Sequence, residues 1–120
     1  MQTATGATGI DAHFYLSKDV RLAVAFYAAL LGVQPSRGNE QYAEFDLDDK
    51  STFGISMAPP DGWQPAGGVM FAFDDVSAGL ARAVHLGATP VLNEDGDACT
   101  TAWCFDPDGN SFALHHRKRV

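Results

Sequence analysis

Apolar side chains alternate with polar or mixed ones from Ile10 to Ser17, the period of two expected of a half-buried strand. From Val20 the period lengthens: Val20, Val24, Tyr27 and Leu31 fall on one stripe of a helix. Asp19 stands where an N-cap carboxylate accepts from the first helical turn, and Gly32 where a helix closes on a left-handed residue. Three short strands are predicted next, at Val33–Arg37, Gln41–Leu47 and Thr52–Met57, the last two separated by the acidic turn Asp48-Asp49-Lys50. Residues 58–68, APPDGWQPAGG, break every periodicity with Pro and Gly and read as a connector.

The pattern then restarts. Val69–Phe73 reads as a strand, and Asp75 or Ser77 caps a helix with Val76, Leu80 and Val84 on one face, ending at Gly87. Strands are predicted at Thr89–Leu92, Cys99–Phe105 and Ser111–His116. The last two are joined by Asp106-Pro107-Asp108-Gly109-Asn110, residues suited to a tight reversal. Each half thus reads strand, helix, three strands, with Asp-Val opening each helix and Leu-Gly closing it. Module one spans 10–58, the connector 59–67 and module two 68–117. Residues 1–9, small and polar without periodicity, are expected to be a flexible tail.

Composition narrows the function classes. A chain of 120 residues supports one domain with a real core. The net charge of −7 disfavours nucleic acid, because a phosphate backbone would be repelled. Three of the few basic residues, Arg117, Lys118 and Arg119, cluster at the end. The remainder is more acidic still and favours cationic or neutral ligands. No apolar window is long enough for a membrane span and no leader pattern opens the chain, so a cytoplasmic location is expected. Cys99 and Cys104 would face opposite sides of one strand and are expected to be free thiols in a reducing compartment.

Three stretches together resemble the vicinal oxygen chelate superfamily, the glyoxalase I, bleomycin-resistance and extradiol dioxygenase group. They are Asp19-Val20 through Phe26-Tyr27 to Leu31-Gly32, Phe73-Asp74-Asp75-Val76 through Leu86-Gly87 to Pro90-Val91, and the closing Asp106 to Asn110 turn. The resemblance covers nearly all of residues 10–117. It implies an α+β fold of two tandem βαβββ modules whose mixed sheets form a cup, and a homodimer. In metal-dependent members of the group, four side chains from the first and fourth strands of the modules hold a divalent ion. Carried onto this chain residue by residue, those positions fall on Ala12, Gly54, Gly68 and Ala113. None can ligate through its side chain.

The expectation is therefore a metal-independent small-molecule binder that resembles the bleomycin-resistance type, with no cofactor and no catalytic residue. It would sequester a drug or metabolite, favourably a cationic one. The residues expected to line the cup are Phe14, Trp63, Met70, Trp103, Ser111 and His115, an aromatic surface with few polar groups. Glu44 is a weaker candidate, as an anchor for a cation. The alternatives are a divalent-metal enzyme, glyoxalase- or dioxygenase-like, with relocated ligands such as a His13–His115 pair, or a metal-free isomerase with His115 as base. His115 and His116, adjacent on a strand, point to opposite faces and do not readily share one ion. Asp106, Asp108 and Asn110 resemble the start of a calcium loop, but Gly109 comes too early and the closing Glu is missing. The acidic run Asn93 to Asp97 is expected to be a solvated loop.

Overall fold

The computed structural model describes residue 6 and residues 10–118, so most of the expected tail lies outside the described residues. Module one contains β1 (His13–Ser17), α1 (Val20–Leu31), β2 (Arg37–Gly38), β3 (Tyr42–Asp46) and β4 (Thr52–Met57). Module two contains β5 (Gly67–Ala72), α2 (Val76–His85), β6 (Thr89–Asp95), β7 (Cys99–Phe105) and β8 (Ser111–Arg117). Each module makes a four-stranded mixed sheet, ordered β1-β4-β3-β2 and β5-β8-β7-β6, with one parallel pair at the module's first strand. The two tandem βαβββ modules expected from the sequence are therefore present.

The helix caps form as the sequence implied. Asp19 accepts from Leu22 N–H at 3.2 Å, and Asp75, rather than Ser77, accepts from Ala78 N–H at 3.0 Å. Gly32 ends α1 at φ 74°, a left-handed value that suits glycine.

The buried faces differ from the predicted stripes. On α1 the buried residues are Val20, Ala23, Phe26, Tyr27 and Leu30, while Val24 and Leu31 are half-buried. The face turns because α1 serves both modules: Phe26 lies 6.0 Å from the Phe112 ring and Tyr27 lies 6.1 Å from Phe71, both on the second sheet. On α2 the small residues Gly79 and Ala83 are buried, and Val84 stays exposed. A Cβ on Gly79 would stand 3.0 Å from Phe73 and 3.2 Å from Leu114, so α2 sits close on its sheet through small residues.

Two strands also depart from expectation. Of Val33–Arg37 only Arg37 lies in a strand, where the ladder to β3 begins at Arg37↔Glu44, with Ser36 N–H donating to Glu44 C=O just before it. β6 runs on through Asn93, Glu94 and Asp95, which pair with Ala102, Thr101 and Thr100, so the acidic run is half strand rather than all loop. Thr100 Oγ1 and Lys118 Nζ both donate to Asp95 and hold that end of β6 to the sheet. Cys99 is half-buried and Cys104 buried, and both are free thiols.

One aromatic core joins the modules. Tyr15, Phe53, Phe71 and Phe112, buried on the helix-facing sides of the sheets, pack with Tyr27 of α1, and Phe53 meets Phe71 edge-on at 5.0 Å between centroids. Among the described residues no helix is long and apolar enough to cross a membrane.

Candidate functional site

The junction between the modules is built from the closing turn. Asp106 Oδ1 accepts from Asp108 N–H and Asn110 N–H, each at 2.9 Å. Its Oδ2 accepts from Tyr27 O–H at 2.6 Å and from Asn110 Nδ2 at 3.2 Å. Asn110 Nδ2 also donates to Leu16 C=O at 3.0 Å, and its Oδ1 accepts from Ala66 N–H at 2.8 Å. One buried asparagine thereby ties β1 to the connector and to the last strand. Burial pushes the Asp106 carboxyl up from its ordinary value, against the opposing pull of hydrogen bonds from Tyr27, Asn110 and Asp108. The same burial, with the Asp106 charge beside it, pushes Tyr27 far up, so its hydroxyl stays protonated as a donor. This cluster is structural, and its groups are spoken for.

Tyr15 makes a second tie. Its hydroxyl donates to Ser111 C=O at 2.6 Å and accepts from Val69 N–H at 3.0 Å. The β5–β8 register shifts between Gly67 and Val69, where Gly68 takes φ 120°. The phenol bridges the two backbone groups that the bulge separates.

The faces turned away from the helices carry the expected cup residues. Register places Met70, Ala113 and Trp103 side by side across β5, β8 and β7, with Leu92 of β6 beyond Trp103. The next row is Ala72, His115 and Thr101, and Ser111 lies opposite Phe105. Met70, Trp103, Ser111 and His115 therefore share one face of the second sheet, which settles the orientation of Trp103. His116 points the other way, its Nδ1 3.2 Å from Phe73 C=O. Phe14 lies on the corresponding face of the first sheet, in register with Gly54. Trp63 is half-buried on the connector and lines neither the cleft between the modules nor the groove at the end of β5 and β8. Both faces are open in the single chain: Phe14 is 40% exposed, Met70 48%, Leu92 51% and Phe105 42%.

The implied metal positions do not fit an ion. A Cβ on Gly54 would fall 2.5 Å from the Phe14 ring, so the aromatic ring occupies the space a ligating side chain would need. Ala113 is fully buried between Met70 and Trp103. His13 and His115 are not brought together: His13 borders the cleft between the modules, His115 the shallow groove at the end of β5 and β8. Among the described residues no three His, Cys, Asp or Glu side chains converge as a metal set. Glu44 is half-buried and bound to Arg37, whose guanidinium also holds Asp46 at 2.8 Å, so its charge is already matched.

The larger cavity was not legible in the sequence. It is a cleft of about 700 Å³ between the modules, along the free edge of β5. Leu31, Val33, Leu47, Phe53, Phe71 and Phe73 give it an apolar floor. Of the expected cup residues only Met70 reaches it.

With this geometry in place, the family model of a glyoxalase-like domain matches residues 7–115. The chain belongs to the glyoxalase-like domain family. A solved glyoxalase/bleomycin resistance protein from Albidiferax ferrireducens T118 is 26% identical, with TM-score 0.75, covering 90% of this chain and 98% of that one. A glyoxalase/bleomycin resistance protein/dioxygenase family enzyme from Burkholderia phytofirmans PsJN shares the fold at 19% identity and TM-score 0.72, covering 89% and 97%. A glyoxalase/bleomycin resistance protein from Catenulispora acidiphila DSM 44928 does so at 23% and 0.67, covering 87% and 94%. No curated protein matches the glyoxalase-like chain.

Proposed function

We propose that this glyoxalase-like chain is a metal-independent binder that sequesters a small organic drug or metabolite without transforming it. The observation that carries the reading is the Phe14 ring seated on Gly54, where a metal-holding member would place a carboxylate. Ala12, Gly68 and Ala113 likewise offer no donor at the other implied positions. The ligand surface is the open face bearing Met70, Trp103, Ser111 and His115, together with Phe14 on the first sheet. Aromatic and thioether groups supply contact area, while Ser111 and His115 orient polar atoms of the ligand. Exposed Phe14, Met70, Leu92 and Phe105 are costly to leave in water, and a homodimer in the cytoplasm, one copy roofing the open face of the other, would cover them. With a drug as ligand, sequestration would give its host antibiotic resistance.

Elemental mass spectrometry of protein purified without chelator, paired with native mass spectrometry, tests the reading. Substoichiometric metal and ligand binding that survives EDTA are expected. One tightly held divalent ion per chain would overturn it and favour a glyoxalase- or dioxygenase-like enzyme with non-standard ligands. Trp103→Ala is expected to weaken ligand binding by tenfold or so, the scale of losing a stacked aromatic of about 1.5 kcal/mol.

A further inference from the structure

The cleft between the modules adjoins the open face of the second sheet at Met70 and Ala72, but its floor is set by Phe53 and Phe71 from the helix-facing sides, and its chemistry is specific. Its floor is aromatic and aliphatic, and its rim carries Asp48, Asp49 and Asp74. Among the described residues no Lys or Arg lines it, and His13 is the only basic side chain at its border. Ser51 donates to Asp49 through its N–H and hydroxyl, which holds that carboxyl below its ordinary value and keeps it ionised at neutral pH. β5 is the terminal strand of its sheet, so its outer edge offers unpaired backbone groups along one wall. A volume of about 700 Å³ is that of a small-molecule pocket rather than an ion site.

We propose that this cleft is a second binding site, for an organic cation with an apolar body of one to three rings and a single ammonium group. The body lies on Phe53, Phe71 and Phe73, and the ammonium meets the carboxylates at the rim. Three carboxylates without a lysine or arginine select against anions, and the net charge of −7 acts in the same sense at longer range. Phe faces on the floor add cation–π attraction where the ammonium comes close. The site requires neither metal nor a second copy of the chain, so it stands apart from the open-face reading.

Three probes with one body and three charges test it: 4-phenylbutylamine, 4-phenylbutanol and 4-phenylbutanoate, titrated into the full chain labelled with ¹⁵N. The amine is expected to shift the amides of residues 47–53 and 69–74, to bind about fivefold tighter than the alcohol, and to weaken with added salt. The carboxylate is expected to bind weakest. Asp48 and Asp74 are exposed, so a D48N/D74N double variant should fold normally. It should lose about two- to fivefold of amine affinity and none of the alcohol affinity. Equal affinity of amine and alcohol overturns the proposal, as do shifts confined to Thr101, Trp103 and His115 on the open face. Binding only of an extended basic peptide, along the β5 edge, also overturns it. Metal content does not enter these readouts, so the two readings fail separately.

Discussion

Replacing Tyr27 by Phe removes one oxygen from the most crowded point of the molecule. Tyr27 is fully buried and its ring meets Phe26, Phe53, Phe71 and Phe112, all contacts that phenylalanine keeps. What is lost is the 2.6 Å hydrogen bond to Asp106 Oδ2. A hydrogen bond to a charged group contributes about 1.5–3 kcal/mol. Asp106 Oδ2 retains Asn110 Nδ2 at 3.2 Å, which places the loss toward the lower part of that range, about 2 kcal/mol. For a domain of this length the fall in Tm is then roughly 8 °C. Guanidinium unfolding should show a lower midpoint with unchanged m, because the surface exposed on unfolding hardly changes. A double-mutant cycle with Asp106→Asn should return a coupling energy of about 1 kcal/mol or more, since the two groups are in contact. A loss under about 0.5 kcal/mol, or additive single mutants, would refute the claim that this bond fastens the modules.

Tyr15→Phe should cost about 2 kcal/mol, because Ser111 C=O and Val69 N–H both lose their partner at the bulge, and amide exchange at Val69 should accelerate. Unchanged exchange at Val69 would show that the phenol is not its partner. Gly54→Ala should destabilise by about 1–3 kcal/mol through overpacking against Phe14, and Phe14→Ala in the same chain should remove most of that penalty; strict additivity in thermal unfolding would count against the contact. The raised carboxyl of Asp106 gives a pH dependence of definite sign. Between the ordinary carboxylate value near about 3.9 and the higher folded value, the folded state binds more protons than the unfolded, so this group's contribution to stability falls as pH rises. Relative to Asp106→Asn, the native chain should therefore gain stability from pH 7.5 down to pH 4. Asp46, Asp49 and Asp95, all held low by hydrogen bonds, act oppositely but equally in both proteins. A gap that narrows on acidification would contradict the burial of Asp106.

The sequence by itself determined the two modules, because what specifies them is local. Alternation marks strands, Asp19 and Asp75 start helices, Gly32 stops one, and the turn from Asp106 to Asn110 fixes the register of β8. That register alone puts Ala113, Ser111 and His115 on one face, since side-chain direction in a strand follows parity. The absence of donors at Ala12, Gly54, Gly68 and Ala113 was equally legible, being a matter of residue identity. Only the tertiary structure decided what depends on distance between segments far apart in the chain. It turned the buried stripe of α1 toward Phe26 and Leu30, because the helix, packed on β3 and β4 of its own module, also meets Phe71 and Phe112 of the other. It set Phe14 over Gly54, matched Glu44 with Arg37, and sent His13 and His115 to separate cavities. It also opened the acidic cleft beside β5, whose walls come from hairpin, helix end and edge strand at once. Periodicity reports which side of its own element a residue occupies, whereas a cavity is a property of the gap between elements.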